Sequence, residues 1–171
     1  LRVSIASTLF LPSSTPVGTG TVTSVNTGYG LTGGPITVSG SLAVSLSFLT
    51  NSLTSNVTIS SNPATYVDGP SVAQGTSGTW LAVGQVTINN TLGGNNFYLK
   101  LWDGTTVIDS AGTAVSLVNN RVVPTLSGVI TNPSSDIKIS VNGPDGSTTG
   151  VIEFNRSGNS KDSTLTVVRI G

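Results

Sequence analysis

Residues 18–44 read GTGTVTSVNTGYGLTGGPITVSGSLAV, and this stretch limits what the chain can become. It holds two short alternating runs, 21–25 and 36–44, separated by Gly28, Gly30, Gly33, Gly34 and Pro35. Its apolar side chains are few and small, and nearly everything else is Gly, Ser, Thr or Asn. Ordering a backbone costs about 1–2 kcal/mol per residue, more than these groups recover in one copy. Several parallel copies could share one thin core along a symmetry axis. The pattern therefore predicts a piece of extended multi-chain shaft, with Val22, Val25, Leu31, Ile36, Val38 and Leu42 as contacts between copies.

From about residue 64 the texture changes. Aromatic residues enter, and short alternating runs recur between turn signals, the pattern of successive antiparallel strands. A first run over 64–67 is closed by Asp68-Gly69-Pro70. Trp80, Ala82, Val86 and Ile88 share one face of a run over 80–89. Phe97, Leu99 and Leu101 oppose Tyr98, Lys100 and Trp102 over 97–102, and Asp103-Gly104 follows as a hairpin turn with 105–108 pairing back. Further runs are expected over 113–118, 121–131, 136–141, 151–154 and 164–170, with Asn119-Asn120 as a turn and Pro124 near a strand entry. In the polar segment 45–62, Leu49, Leu53 and Val57 stand at helical spacing and allow a short helical neck, while Val57 and Ile59 favour a strand. The expected architecture is all-β. An arm, shaft and neck span 1–62, and an antiparallel β-sandwich head of jelly-roll type spans 63–171. An immunoglobulin-like sandwich is the alternative, without the Cys and Trp signature.

Charge narrows the function classes. Only 8% of residues are charged, seven of each sign, whereas a nucleic-acid binder needs a basic face to displace counterions from phosphates. Cys and His are both absent, which removes disulfides, Cys-based metal sites, the commonest metal ligand and the usual general base. No acidic run has calcium-loop spacing. Neither metal nor cofactor is expected. No window approaches the ~20 apolar residues of a membrane span, so membrane insertion is not expected. Residues 1–11 faintly resemble a signal peptide, but Ser4, Ser7 and Thr8 break the apolar run, and an extended segment is expected instead. The chain contains no Met, which is consistent with a fragment of a longer protein.

Gly28-Tyr29-Gly30-Leu31-Thr32-Gly33 spells half of a dinucleotide fingerprint. Gly34-Pro35 follows where a helix should start, and the next acid is Asp68, too far on for the ribose. A turn is the expected structure. Carboxylate catalysis needs two acids facing each other. The candidates are Asp68, Asp103, Asp109, Asp136, Asp145, Glu153 and Asp162, of which Asp68, Asp103 and Asp145 precede Gly as turn aspartates do. Glu153 is expected to pair with Arg156 or Lys138. No catalytic residue is assigned, and the chain is not expected to be an enzyme. Exposed aromatic rings match the C–H face of a pyranose, so Tyr98, Trp102 and Tyr66 are the candidate ligand-binding residues. The competing reading is burial in the sandwich or at a subunit interface, which is the expectation for Trp80.

Residues 20–25 (GTVTSV), 28–37 (GYGLTGGPIT) and 39–42 (SGSL) resemble the shaft motif of bacteriophage tail-fibre and related virion fibre proteins. The resemblance runs almost without a gap. It implies a homotrimeric fibre on the extracellular phage particle, joined to other virion proteins through its N-terminal part. Residues 66–80 (YVDGPSVAQGTSGTW) and 100–106 (KLWDGTT), with Lys161-Asp162-Ser163-Thr164 and Arg169-Ile170, resemble a β-domain of phage structural proteins. The head is then expected to act in host adsorption by binding a bacterial surface polysaccharide without cutting it. A capsid-decoration or head-fibre protein with a purely structural role is the second reading, and a glycan-degrading tailspike the third. With so few charges, binding is expected to depend little on salt.

Overall fold

The structure, a computed structural model, describes residues 24–59, 62, 64–143 and 150–171. Among these residues every regular element is a strand. The N-terminal Gly-rich stretch makes a small hairpin. Val25 and Ile36 exchange backbone hydrogen bonds of 3.0 and 2.9 Å, and β1 (Leu31–Thr32) pairs antiparallel with β2 (Ala43–Val44). The run expected over 36–44 is regular only at its end, because Pro35 has no N–H to donate and the chain bends at 37–39. The run expected over 21–25 lies partly outside the described residues, and Val22 with it. The Gly28–Gly33 motif is a turn, with Leu31 N–H bonded to the Gly28 carbonyl at 3.3 Å and positive φ at Gly30 and Gly33.

Twelve strands follow: β3 (Phe48–Ser52), β4 (Val57–Ile59), β5 (Val67–Val72), β6 (Thr79–Gln85), β7 (Thr87–Asn90), β8 (Asn95–Trp102), β9 (Val107–Val115), β10 (Arg121–Val122), β11 (Thr125–Thr131), β12 (Ile137–Asn142), β13 (Gly150–Glu153) and β14 (Thr164–Arg169). They form two antiparallel layers. One is the sheet β5-β12-β8-β9. The other consists of β11-β6-β14-β3 and β10-β7-β13-β4, which share a strand order because β6 runs on into β7 through Val86. The interruption has a cause. Pro124 separates β10 from β11 and cannot donate to the ladder, and its carbonyl accepts the Val86 N–H instead, at 3.3 Å.

The core lies between the layers. Phe97, Leu99, Leu101, Ile137, Ile139 and Val141 from the first meet Trp80, Ala82, Ile88, Leu126, Ile152, Leu165 and Val167 from the second. Fully burying one side chain of this size contributes about 1.5–3 kcal/mol. The alternation read for 80–89, 97–102 and 136–141 therefore gives the inward phase correctly. Gly150 has no side chain for a packing reason: a Cβ there would lie 2.9 Å from the Phe97 ring.

Five expectations change. The helical neck is absent, since β3 pairs with β14 and β4 with β13, and Ile59 is fully buried. Residues 48–59 thus belong to the sandwich, and the boundary placed at 62/63 falls inside it. The Asp68-Gly69-Pro70 segment does not end a strand but lies within β5. There the pairing with β12 slips between Lys138 and Ser140, so that Gly69 and Pro70 form a bulge. Because β5 is an edge strand, the missing Pro70 N–H costs no ladder bond on the open side. Finally, the returning strands expected over 105–108 and 113–118 are one strand, β9, and the run over 121–131 is two.

Candidate functional site

Strand β8 positions the site. With Phe97, Leu99 and Leu101 turned into the core, pleating sends Tyr98, Lys100 and Trp102 to the outer face of the β5-β12-β8-β9 sheet. The register sets their neighbours. On β12, Lys138 stands opposite Trp102 and Ser140 opposite Lys100. On β9, Ser110 faces Lys100 and Gly112 faces Tyr98. On β5, the bulge brings Asp68 opposite Ser140.

These groups form one connected array. The Trp102 Nε1–H donates to Ser140 Oγ at 2.6 Å, and Ser140 Oγ donates to Asp68 Oδ1 at 2.6 Å. Lys138 Nζ donates to Asp68 Oδ2 at 2.7 Å. Ser140 is fully buried beneath its neighbours, so its hydroxyl needs both partners. Lys100 Nζ lies 3.2 Å from the centroid of the Trp102 ring and 4.1 Å from that of Tyr66, while Lys138 Nζ is 5.3 Å from Trp102. Burial lowers the Lys100 pKa, Asp68 opposes that shift, and the like charge of Lys138 adds to it.

Of the three aromatic candidates, the structure joins Tyr66 and Trp102 through the Lys100 ammonium. Tyr98 stands apart from that contact. It is 50% exposed, and its ring borders Gly112, where a Cβ would sit 3.5 Å from it. Sequence reasoning did not place Asp68, Lys100, Lys138 and Ser140 at this site. Lys100 had a legible signal, lying between Tyr98 and Trp102 in the outward phase. Asp68 had none, because Asp-Gly-Pro reads as a turn.

The remaining expected groups are placed as follows. Trp80 is core, with its Nε1–H on the Ser77 carbonyl at 3.0 Å. Glu153 does not pair with Arg156 or Lys138; it binds Arg121 through bonds of 2.8 and 3.0 Å. Asp103 is buried and accepts the N–H groups of Thr105, Thr106 and Ser134. Asp109 accepts those of Ser110 and Ser127, and Asp145 lies outside the described residues. Among the contact residues expected between copies, Val25, Leu31, Val38 and Leu42 are exposed, Val38 at 96%, and Ile36 is half-buried beside Gly40. Arg169 reaches from β14 to the Tyr29 ring, 4.5 Å from its centroid, and ties the hairpin to the sandwich.

Two concavities lie elsewhere. Grooves of about 340 and 370 Å³ flank Lys161 on the other layer, with hydroxyl residues such as Thr125, Thr164 and Thr166 in one and Thr50, Ser52 and Ser160 in the other. They hold polar acceptors but no aromatic ring other than Phe154. The array on β5, β8 and β12 carries the richer chemistry.

No protein-family model and no curated protein sequence matches the chain. Among solved structures it is similar to the Eiger TNF of S. frugiperda, with a TM-score of 0.46 and 10% identity over 74% of this chain and 93% of that one. It is similar to the PRD1 vertex protein P5, with a TM-score of 0.40 and 17% identity over 86% and 85%. It is also similar to the C-terminal domain of EclA, a sugar-binding protein, with a TM-score of 0.33 and 15% identity over 74% and 80%. At such low TM-scores none of the three bears on what this chain binds.

Proposed function

We propose that this chain is a structural fibre protein of a bacteriophage particle, whose sandwich adsorbs to a bacterial surface glycan without cutting it. The observation that carries the adsorption role is the outward row Tyr98, Lys100 and Trp102 on a strand paired on both sides. Aromatic faces and hydrogen-bonding groups held by sheet packing suit a sugar, which presents apolar C–H faces and polar hydroxyls together.

The fibre role rests on the resemblance of residues 20–42 to virion fibre shafts. It is supported by the bareness of Val25, Leu31, Val38, Leu42 and Val44 in one copy of the chain. Covering those groups between three copies would give a homotrimer, with the N-terminal part toward the particle. A shallow single site of this kind binds at around millimolar, about −4 kcal/mol. Three linked sites on a repetitive surface raise apparent affinity by about 10²–10⁴.

The test is to present the purified chain to bacterial cells, to particles lacking it, and to isolated surface polysaccharide. Adsorption to cells with the polysaccharide left intact supports the proposal. Binding to particles alone supports a decoration role instead, and release of oligosaccharides supports a tailspike.

A further inference from the structure

Charge is scarce in this chain, with seven residues of each sign, yet Asp68, Lys100 and Lys138 gather on one sheet face. Their pairing is uneven. Lys138 holds Asp68 at 2.7 Å, while Lys100 lies within ion-pair distance of no carboxylate among the described residues. Its ammonium rests on two aromatic faces instead, those of Trp102 and Tyr66. An ammonium has three N–H donors. Ring faces attract its charge but do not supply the lone pairs that three donors can use. The result is a partly desolvated cation beside a second cation, short of an acceptor.

Two residues back along the same strand and on the same face is Tyr98, half-exposed over Gly112. Strand geometry puts the two side chains about 7 Å apart. A pyranose stacked on Tyr98 would hold a ring substituent within reach of the flexible Lys100 stem. A sugar hydroxyl there would make an ordinary hydrogen bond, whereas a carboxylate or phosphate would make a charge-assisted one, roughly twice as strong.

We infer that the outer face of the β5-β12-β8-β9 sheet takes an acidic glycan, its ring against Tyr98 and its carboxylate or phosphate on Lys100. This rests on the reading of the sandwich as a glycan-binding head. It replaces the expectation that binding is indifferent to salt. A polyanion such as nucleic acid is a poorer occupant, since such binding grows with the number of phosphates neutralised and Lys138 is already held by Asp68.

The test uses the full chain on an array of bacterial polysaccharides in matched pairs. Each uronic-acid polymer is printed beside its carboxyl-reduced form, and each phosphodiester polymer beside its dephosphorylated form. The acidic member of at least one pair should bind about tenfold tighter than its neutral partner, as one charge-assisted contact predicts. That preference should shrink at high salt, vanish in Lys100→Met and persist in Lys100→Arg. Equal binding of acidic and neutral partners overturns this inference and leaves the glycan reading standing. So does an acidic preference that survives Lys100→Met, since the anion would then sit elsewhere. No binding to any member, by a chain that circular dichroism shows to be folded, overturns both.

Discussion

Lys100 sits over the ring of Trp102, and Trp102 turns its one N–H away from solvent to Ser140. The indole is therefore a support for the lysine as much as a surface for a ligand. Trp102→Ala removes the platform beneath Lys100 and leaves the buried Ser140 hydroxyl without a donor. It should destabilise the sandwich by about 2–4 kcal/mol. Trp102→Phe keeps a six-membered ring beneath Lys100 and loses the rest of the indole with its N–H, so its cost should be smaller, about 1–2 kcal/mol. Urea unfolding of the two variants measures what the retained ring contributes; equal costs would show that a ring beneath Lys100 adds nothing to stability.

Asp103 fixes the turn after β8 to the turn before β12. Its Oδ1 accepts Thr105 N–H at 2.9 Å and Thr106 N–H at 2.6 Å, and its Oδ2 accepts Ser134 N–H at 2.6 Å. Burial pushes its carboxyl up, but the hydrogen bonds from Ser134, Thr106 and Thr105 together outweigh burial and hold it below the usual carboxylate value. A folded-state pKa below the unfolded one means that the unfolded chain binds more protons. The stabilisation is thus present above the unfolded value of about 3.9 and lost as pH falls through the lower folded value. Asp103→Ala should cost about 2–3 kcal/mol at neutral pH, and the gap between variant and parent should close in strong acid. A gap that stays constant down to the acid transition would contradict the assignment.

Arg121 and Glu153 join β10 to β13 across β7 through two parallel bonds of 2.8 and 3.0 Å, with side chains 31% and 10% exposed. The bond to Glu153 is the main reason that the Arg121 pKa is raised. Glu153→Gln keeps the shape and removes the charge, so it should cost about 1–3 kcal/mol. Arg121→Lys, which cannot make the fork, should cost a similar amount. A thermal scan showing Arg121→Lys unchanged would mean that a point charge suffices.

Sheet pairing predicts where the head can be cut. A chain starting at residue 63 loses β3, β4 and the fully buried Ile59 and should not fold. A chain starting at residue 46 keeps every strand of both layers and should unfold cooperatively. Circular dichroism melts of the two fragments decide this, and a cooperative melt from the shorter one would show that β3 and β4 are dispensable.

The inward phase of β6, β7, β8 and β12 was legible because each strand alternates over a run long enough to show it. The edges were harder. Leu49, Leu53 and Val57 stand at helical spacing, yet β3 is a strand because β14, at the other end of the chain, offers a ladder. The array around Lys100 was legible only in part. Tyr98 and Trp102 share a strand and a phase, so the sequence places them together. Lys138 and Asp68 are 70 residues apart, and their meeting depends on a bulge and a cross-strand register that one sequence does not display. Glu153 gave the wrong partner for the same reason, since Arg121 lies 32 residues away on β10.

The most direct test of the account is cell adsorption by the intact chain and its Tyr98→Ala variant. Tyr98 is half-exposed on the outer face and donates no hydrogen bond among those described, so the substitution should change stability by less than about 1 kcal/mol. The account predicts that the variant folds and melts like the parent and adsorbs at least about tenfold less, the stacked ring having been removed. A folded Tyr98→Ala variant that adsorbs as well as the parent would contradict the claim that this face binds the host surface.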